Sequence, residues 1–267
     1  MNQFLNSRWH TWLHKANPAL KIALVMSMFL VTLFTHSLDF ILYQALLFTV
    51  MLFALSGHPP WKVFLIVLPF ILIFISSSST MILFGKGDHL WWSWGLVRIS
   101  EESFHRGIHI GFKSVAFAAE GLLFVLTTSS VDLFYALMQK FKLPAKFAYS
   151  FMASIRLLPM VWEEFQIRRQ ALQIRGIRAR GGLKGVVGQV KLYGVPLLAQ
   201  SIRRASRVAV AMESKRFNRN RTRTYYYPSK YTRYDVYTVL LFGTVVAAAY
   251  WAGEGLAVFG ITDVRYR

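Results

Sequence analysis

Between Ala19 and Phe84 the chain is apolar in three long runs, broken only at His36-Ser37-Leu38-Asp39 and at Gly57-His58-Pro59-Pro60. A helix that crosses the hydrocarbon of a bilayer needs about 20 predominantly apolar residues. At that depth its backbone groups must be satisfied within the protein. The runs predict spans over Ala19–Phe34, Phe40–Leu55 and Trp61–Phe84, the first two barely long enough. The third contains Pro69 and the run Ser76 to Thr80. Neighbouring helices and hydroxyls can satisfy a backbone freed by proline, and small polar residues let helices pack closely. A fourth span, about Gly107 to Thr128, carries Lys113 and Glu120. Lys113 is expected to snorkel toward an end and Glu120 to face other helices. A fifth runs from Val236 to about Trp251. Residues 85–106 read as a loop whose Trp91, Trp92 and Trp94 suit a membrane-water interface.

Composition agrees with this reading. Hydrophobic residues make up 55% and charged residues 16%, against about 25% charged in soluble domains. The net charge of +19 is concentrated: residues 137–233 hold 21 Lys and Arg and three acids (Glu163, Glu164, Glu213), so the rest of the chain is nearly neutral. Positively charged loops stay in the cytoplasm. With the N-terminus inside, Lys62 and the basic segment are cytoplasmic, while the tryptophan loop and the C-terminus are extracytoplasmic. There is no cysteine, which excludes disulfides and thiol chemistry. No cleavable signal peptide is expected, because the first apolar run is too long and is followed by others.

The basic segment says the same thing twice. SIRLLPMVWEEFQIRRQALQIRG (154–176) is followed by GVPLLAQSIRRASRVAVAMESKRF (194–217). Each half is expected to open a helix near its proline, Pro159 or Pro196, and to end in basic residues. Neither has a span's apolar length, so both read as amphipathic cytoplasmic helices. In the second, Val195, Leu198, Ile202, Ala205 and Ala209 form one apolar stripe. Ser201, Ala205 and Ala209 recur every four residues, which permits close helix packing. Met160, Phe165 and Leu172 offer larger complements on the first helix. The two helices are expected to cross, bury these stripes and point their basic ends outward. A short helix, Leu133 to Lys142 capped by Asp132, precedes them, and a linker from Arg219 to Arg233 follows. Lipid attraction accounts for the linker but not for the repetition. Nucleic-acid binding has only Tyr225 to Tyr227 beside Arg223 in its favour and is not expected.

These helices resemble the transmembrane T component of energy-coupling-factor (ECF) ABC transporters, of the cobalt-permease and vitamin-uptake type. The family's first coupling pattern is similar to Arg156-Leu157-Leu158-Pro159, Glu164 and Ile174-Arg175-Gly176. Its second is similar to Pro196 followed by Ala211-Met212-Glu213-Ser214-Lys215-Arg216-Phe217, and its N-terminal signature to Asn17-Pro18 with Lys21. The resemblance is detailed over 144–218 and diffuse over the spans. It implies a coupling subunit with two ABC ATPase partners, a small separate substrate-binding membrane protein (the S component), and the lipid bilayer around it. The residues it places at the ATPases are Arg175, Gly176, Lys215, Arg216, Glu164 and Glu213. Pro159, Pro196, Ser201, Ala205 and Ala209 belong to the packing of the coupling helices. Where the family has Arg-Gly, this chain has Lys215-Arg216. Arg216 is expected to make the second contact, swung into place by a last turn loosened to a 3₁₀ form.

The expected fold is therefore an all-α polytopic membrane protein with about five spans and long crossed cytoplasmic coupling helices. Residues 1–131 form a four-span region, 132–233 the coupling region and 234–267 the last span. No catalysis, metal or cofactor is expected, ATP being bound by the partners. Gly181-Gly182-Leu183-Lys184-Gly185 has neither the spacing nor the Ser/Thr of a phosphate loop, and His105 and His109 lack an acid in register for a metal. A self-contained channel or secondary transporter would favour inverted repeats of spans, whereas the repeat here is in the basic helices. The implied cargo is a vitamin or vitamin precursor such as a thiamine-type pyrimidine, with cobalt or nickel as the alternative.

Overall fold

The computed structural model describes residues 9, 11–85, 87, 89–94, 97–176, 183–217, 224–261 and 263–264. Gly181-Gly182 and the arginine-rich stretch 218–223 of the linker lie outside them. The chain divides into two compact units, Asn2–Ala136 with Ser229–Arg267, and Leu137–Pro228.

The first unit holds α1 (Pro18–Phe34), α2 (Leu38–Leu55), α3 (Pro60–Phe84), α4 (Glu101–Thr127) and α8 (Arg233–Gly255). The last four are long and apolar enough to cross a membrane, and α1 is a shorter apolar helix. At 17 residues it covers roughly 25 Å at 1.5 Å per residue. Leu13, Met28, Phe48, Leu52, Val63 and Leu123 are among the buried centre of the bundle. Phe48 meets Phe242 of α8 edge-on at 5.6 Å between centroids. Much of α3, including Leu68, Leu72, Ile73 and Ile75, is exposed, as suits a helix facing lipid. It lies close to α4 because of two glycines. A Cβ at Gly107 would come within 2.5 Å of the Ile82 side chain, and one at Gly111 within 2.7 Å of Phe74.

Helix ends in this unit are fastened by side chains far away in sequence. Asn17 caps α1 by accepting from the Ala19 amide at 2.9 Å, with Pro18 at the first helical position. The Asn17 amide donates to Asp235 Oδ1 at 2.6 Å, and Asp235 Oδ2 accepts from the Thr232 amide at 2.6 Å, so one carboxylate joins the starts of α1 and α8. Lys21 is buried and donates to the Thr127 carbonyl at the end of α4, at 2.9 Å. Asp39, at the start of α2, accepts from the amides of Val258, Phe259 and Gly260, each at 3.0 Å.

Two sequence expectations need correction. The loop at 85–106 contains an antiparallel hairpin, β1 (Leu90–Trp94) and β2 (Val97–Ser100), and α4 begins directly after it. Ser100 and Ser103 form a capping box that fixes this early start, and Glu101 and Glu102 in the first turn suit the positive end of the helix dipole. Trp91 and Trp92 are exposed on the hairpin. Lys113 reaches toward an end as expected, donating at 3.0 Å to the Leu33 carbonyl in the last turn of α1, where carbonyls lack helical partners. The short amphipathic helix is α5 (Ser130–Lys140), with Asp132 in its first turn and not at its cap.

The second unit contains α6 (Ala145–Ile174) and α7 (Leu183–Ser214). Neither begins at its proline: Pro159 and Pro196 lie inside the helices. Pro144 is the N-cap of α6 instead. Proline cannot donate to the carbonyl four residues back, so Pro159 and Pro196 each remove one bond from mid-helix.

Candidate functional site

The two basic helix ends are built alike. At the end of α6 the Arg175 amide donates to Ala171 O at 3.3 Å and the Gly176 amide to Gln173 O at 3.0 Å, with Gly176 in the left-handed region at φ 72°. At the end of α7 the Lys215 amide donates to Ala211 O at 3.2 Å, the Arg216 amide to Glu213 O at 2.8 Å and the Phe217 amide to Met212 O at 3.0 Å. Bonds from C′ to C2 and from C″ to C3 define the Schellman closure. Here the C′ residue is Arg216, at φ 52°. The last turn does not loosen to a 3₁₀ form as expected. It closes through a left-handed residue, so Lys215 holds the position of Arg175 and Arg216 holds that of Gly176.

Arg175, Gly176, Lys215 and Arg216 are all exposed, as is Glu213. Cations at a helix C-terminus offset the partial negative charge of its carbonyls. Phe217 packs edge-on against Tyr149 at 5.6 Å, which sets the end of α7 beside the start of α6. From Tyr149 to Arg175 is 26 residues of chain, roughly 39 Å of helix. The two basic ends therefore sit toward opposite ends of α6.

A non-glycine residue in the left-handed region is strained by about 1–2 kcal/mol. Arg216→Gly is accordingly expected to stabilise the chain by about 1 kcal/mol, read as a rise in thermal midpoint of the purified protein. A fall in that midpoint would mean that the arginine side chain holds the cap in some other way.

Between the ends, α6 and α7 meet through residues other than the expected ones. Adjacent residues Glu164 and Phe165 reach Arg204 and Tyr193, which are eleven positions apart on α7, roughly 16 Å of helix. Long side chains on α7 thus reach a short stretch of α6 from both directions. Glu164 accepts from Arg204 within the chain, each side chain 19% exposed, which sets it between the helices and away from their ends. Its second oxygen, Oε2, is buried and has no partner among the described residues. The stripe expected to pack on α6 instead points outward. Val195 is 60%, Leu198 64% and Ile202 65% exposed, and Ala205 and Ala209 are exposed beside them, with Ser201 half-buried. The face turned inward includes Tyr193, Leu197, Gln200 and Arg204, all partly buried and recurring at helical spacing. On α6, Leu172 is buried but Met160 is exposed. Arg204 escaped sequence reasoning because Arg203, Arg204 and Arg207 look alike along the chain, and only the register of the two helices singles out one.

His105 makes edge contacts with Phe104 and Phe259. No group of three His, Cys, Asp or Glu able to hold a metal occurs among the described residues.

The family model CbiQ, described as cobalt transport protein, matches residues 10–226. Proteins named energy-coupling factor transporter transmembrane protein EcfT are similar over most of their length. The one from Limosilactobacillus fermentum is 26% identical over 232 residues, covering 84% of this chain and 86% of that protein. The Lactococcus lactis protein is 27% identical over the same shares. The Ruminiclostridium cellulolyticum protein is 26% identical over 251 residues, covering 90% and 91%. With its spans, its twice-built basic helix ends and a family match over most of its length, the chain belongs to the CbiQ family, that of the transmembrane (T) components of energy-coupling-factor transporters, and is a transport subunit and not an enzyme.

Proposed function

We propose that this chain couples two ABC ATPase subunits to a separate substrate-binding membrane protein for import. The observation that carries the reading is the pair of alike basic caps, Arg175-Gly176 and Lys215-Arg216, toward opposite ends of α6. Each cap presents cations at the negative end of a helix, a form suited to an acidic groove, and their separation suits two subunits side by side. Lys215 is the counterpart of Arg175 by cap register, while Arg216 adds a second cation where the first end has glycine. Glu164 acts as a strut that holds the helices in register through Arg204, and Glu213 lies one turn before the second cap. The outward stripe Val195, Leu198, Ile202, Ala205 and Ala209 is the surface offered to the substrate-binding protein. Closure of the ATPases on ATP would shift α6 and α7 and so tilt or release that protein.

The cargo would be bound by that protein and not by this chain. A vitamin precursor such as a thiamine-type pyrimidine is the first proposal. Cobalt or nickel is the alternative, favoured by the description of the family model. The test is to express the chain with its chromosomal neighbours and identify what stays bound in mild detergent. Two ATPase chains and one small membrane protein are expected. Recovery of the chain alone, with transport intact in cells, would overturn the reading.

The proposed orientation puts α6, α7 and the N-terminus in the cytoplasm and the end of the chain outside. Tyr226 and Val258 are 88% and 62% exposed, and the chain has no cysteine of its own. In intact cells, Val258→Cys is expected to react with an impermeant thiol reagent and Tyr226→Cys to be protected. The reverse pattern would invert the topology.

A further inference from the structure

Within the span bundle, Glu120 of α4, Gln44 of α2 and Thr32 of α1 are fully buried side by side. Gln44 Nε2 donates to Glu120 Oε1 at 2.9 Å and to Thr32 Oγ1 at 2.7 Å. The Thr32 hydroxyl lies 3.2 Å from Glu120 Oε1 and 2.9 Å from the Met28 carbonyl. Apolar side chains flank the cluster on both sides: Met28, Phe48 and Leu123 in the larger core, Ile41 and Ala249 in the smaller.

The hydrogen bonds of this cluster do not balance. Gln44 has two N–H donors, spent on Glu120 Oε1 and Thr32 Oγ1, and Thr32 has one O–H, shared between the Met28 carbonyl and Glu120 Oε1. Two buried oxygens, Glu120 Oε2 and Gln44 Oε1, receive no donor from any described residue. Unmet acceptors in a dry interior are costly, and an unpaired carboxylate there is costlier still.

Neighbouring charges are already engaged elsewhere. Lys113, seven positions before Glu120, donates to Leu33 O, and Lys21 donates to Thr127 O, seven positions after it. Seven positions are roughly 10 Å of helix. Asp39 on α2 accepts from the amides of Val258, Phe259 and Gly260. Between Lys62 and Phe84 on α3, and between Asp235 and Glu254 on α8, the sequence has no charged residue.

We propose that Glu120, Gln44 and Thr32 form a binding site for one monovalent cation, a proton or Na⁺, at bilayer depth. Either would supply the positive charge that the cluster lacks. A proton on Oε2 turns an unmet acceptor into a donor. Sodium takes oxygen ligands: turning the Gln44 amide over puts its carbonyl oxygen beside Glu120 Oε1 and Thr32 Oγ1, so that carboxylate, amide and hydroxyl oxygens converge. Because the three residues come from α1, α2 and α4, the bound cation fastens these helices to one another.

The thermal midpoint of the purified full chain in detergent tests this, measured for the wild type and Glu120→Gln. Sodium is titrated against choline at constant ionic strength, and pH is varied in sodium-free buffer. A rise of several degrees with sodium, lost in the variant, identifies Na⁺. A midpoint indifferent to sodium that falls with rising pH, and is flat in the variant, identifies the proton, because a native state that binds more protons loses stability as pH rises. Identical responses of the two proteins to both titrations overturn the proposal. Should the variant not fold, infrared spectra of the wild type decide. A protonated-acid carbonyl band at neutral pH, or a carboxylate band shifted by sodium, supports the site, and absence of both overturns it.

Discussion

Arg175→Ala is expected to abolish recovery of the ATPase partner with this chain and to stop ATP-driven uptake in cells. The residue closes α6 at its C-cap and is exposed, so its removal is expected to leave the fold intact and to act on the proposed ATPase contact. Truncating one partner of a buried charge pair costs about 2–5 kcal/mol, a loss of affinity of roughly 30- to 4,000-fold. Arg175→Lys should fall between, because an ammonium supplies one point charge where a guanidinium offers a planar fork. Lys215→Arg should then strengthen association at the other end. If Arg175→Ala assembles and transports like the wild type, the α6 cap is not a coupling contact.

The largest expected effect on stability is that of Asp235→Ala. Asp235 is 4% exposed and receives two bonds at 2.6 Å, from the amides that begin α1 and α8. Without it the buried Asn17 N–H loses its partner, at about 1–3 kcal/mol, and the partly exposed Thr232 N–H loses one hydrogen bond, at about 1 kcal/mol, or about 2–4 kcal/mol together. Thermal unfolding in detergent should show a fall of many degrees, with Asp235→Asn intermediate because its amide oxygen can accept one of the two bonds. Asn17→Ala should cost about 1 kcal/mol for the lost cap. An unchanged midpoint for Asp235→Ala would mean that the two helix starts are held by their packing alone.

Helices were the legible part of this sequence, because span length acts within one segment, but some of their ends were not: Pro159 and Pro196, read as helix starts, lie inside α6 and α7. Asn17-Pro18 announces the start of α1, and the Ser201-Ala205-Ala209 spacing announces a smooth helical face. What that face touches was not legible. The stripe is apolar enough to pack against α6, but Tyr193 and Arg204 make that contact and leave it outward. The hairpin before α4 escaped because tryptophan-rich segments with mixed charge carry no clear period. Thr127 for Lys21, Val258 to Gly260 for Asp39 and Asn17 for Asp235 lie more than 100 residues away, and a carboxylate in a sequence says nothing of which distant amides it will receive. The cap of α7 was misread because left-handed residues are usually glycine, and only backbone geometry reveals an arginine in that place.

Two of the fastenings in the span unit also bear on how the protein is made. The bond from Asn17 to Asp235 closes a loop of 218 residues, and those from Asp39 to Val258, Phe259 and Gly260 close loops of 219 to 221. Neither can form until α8 has left the ribosome. Until then α1 lacks its partner at Asn17, α2 holds an unspent carboxylate at Asp39, and α6 and α7 have already been synthesised. Contacts of such long sequence separation form late. A chain stopped before residue 235 would present these open ends for as long as it persists.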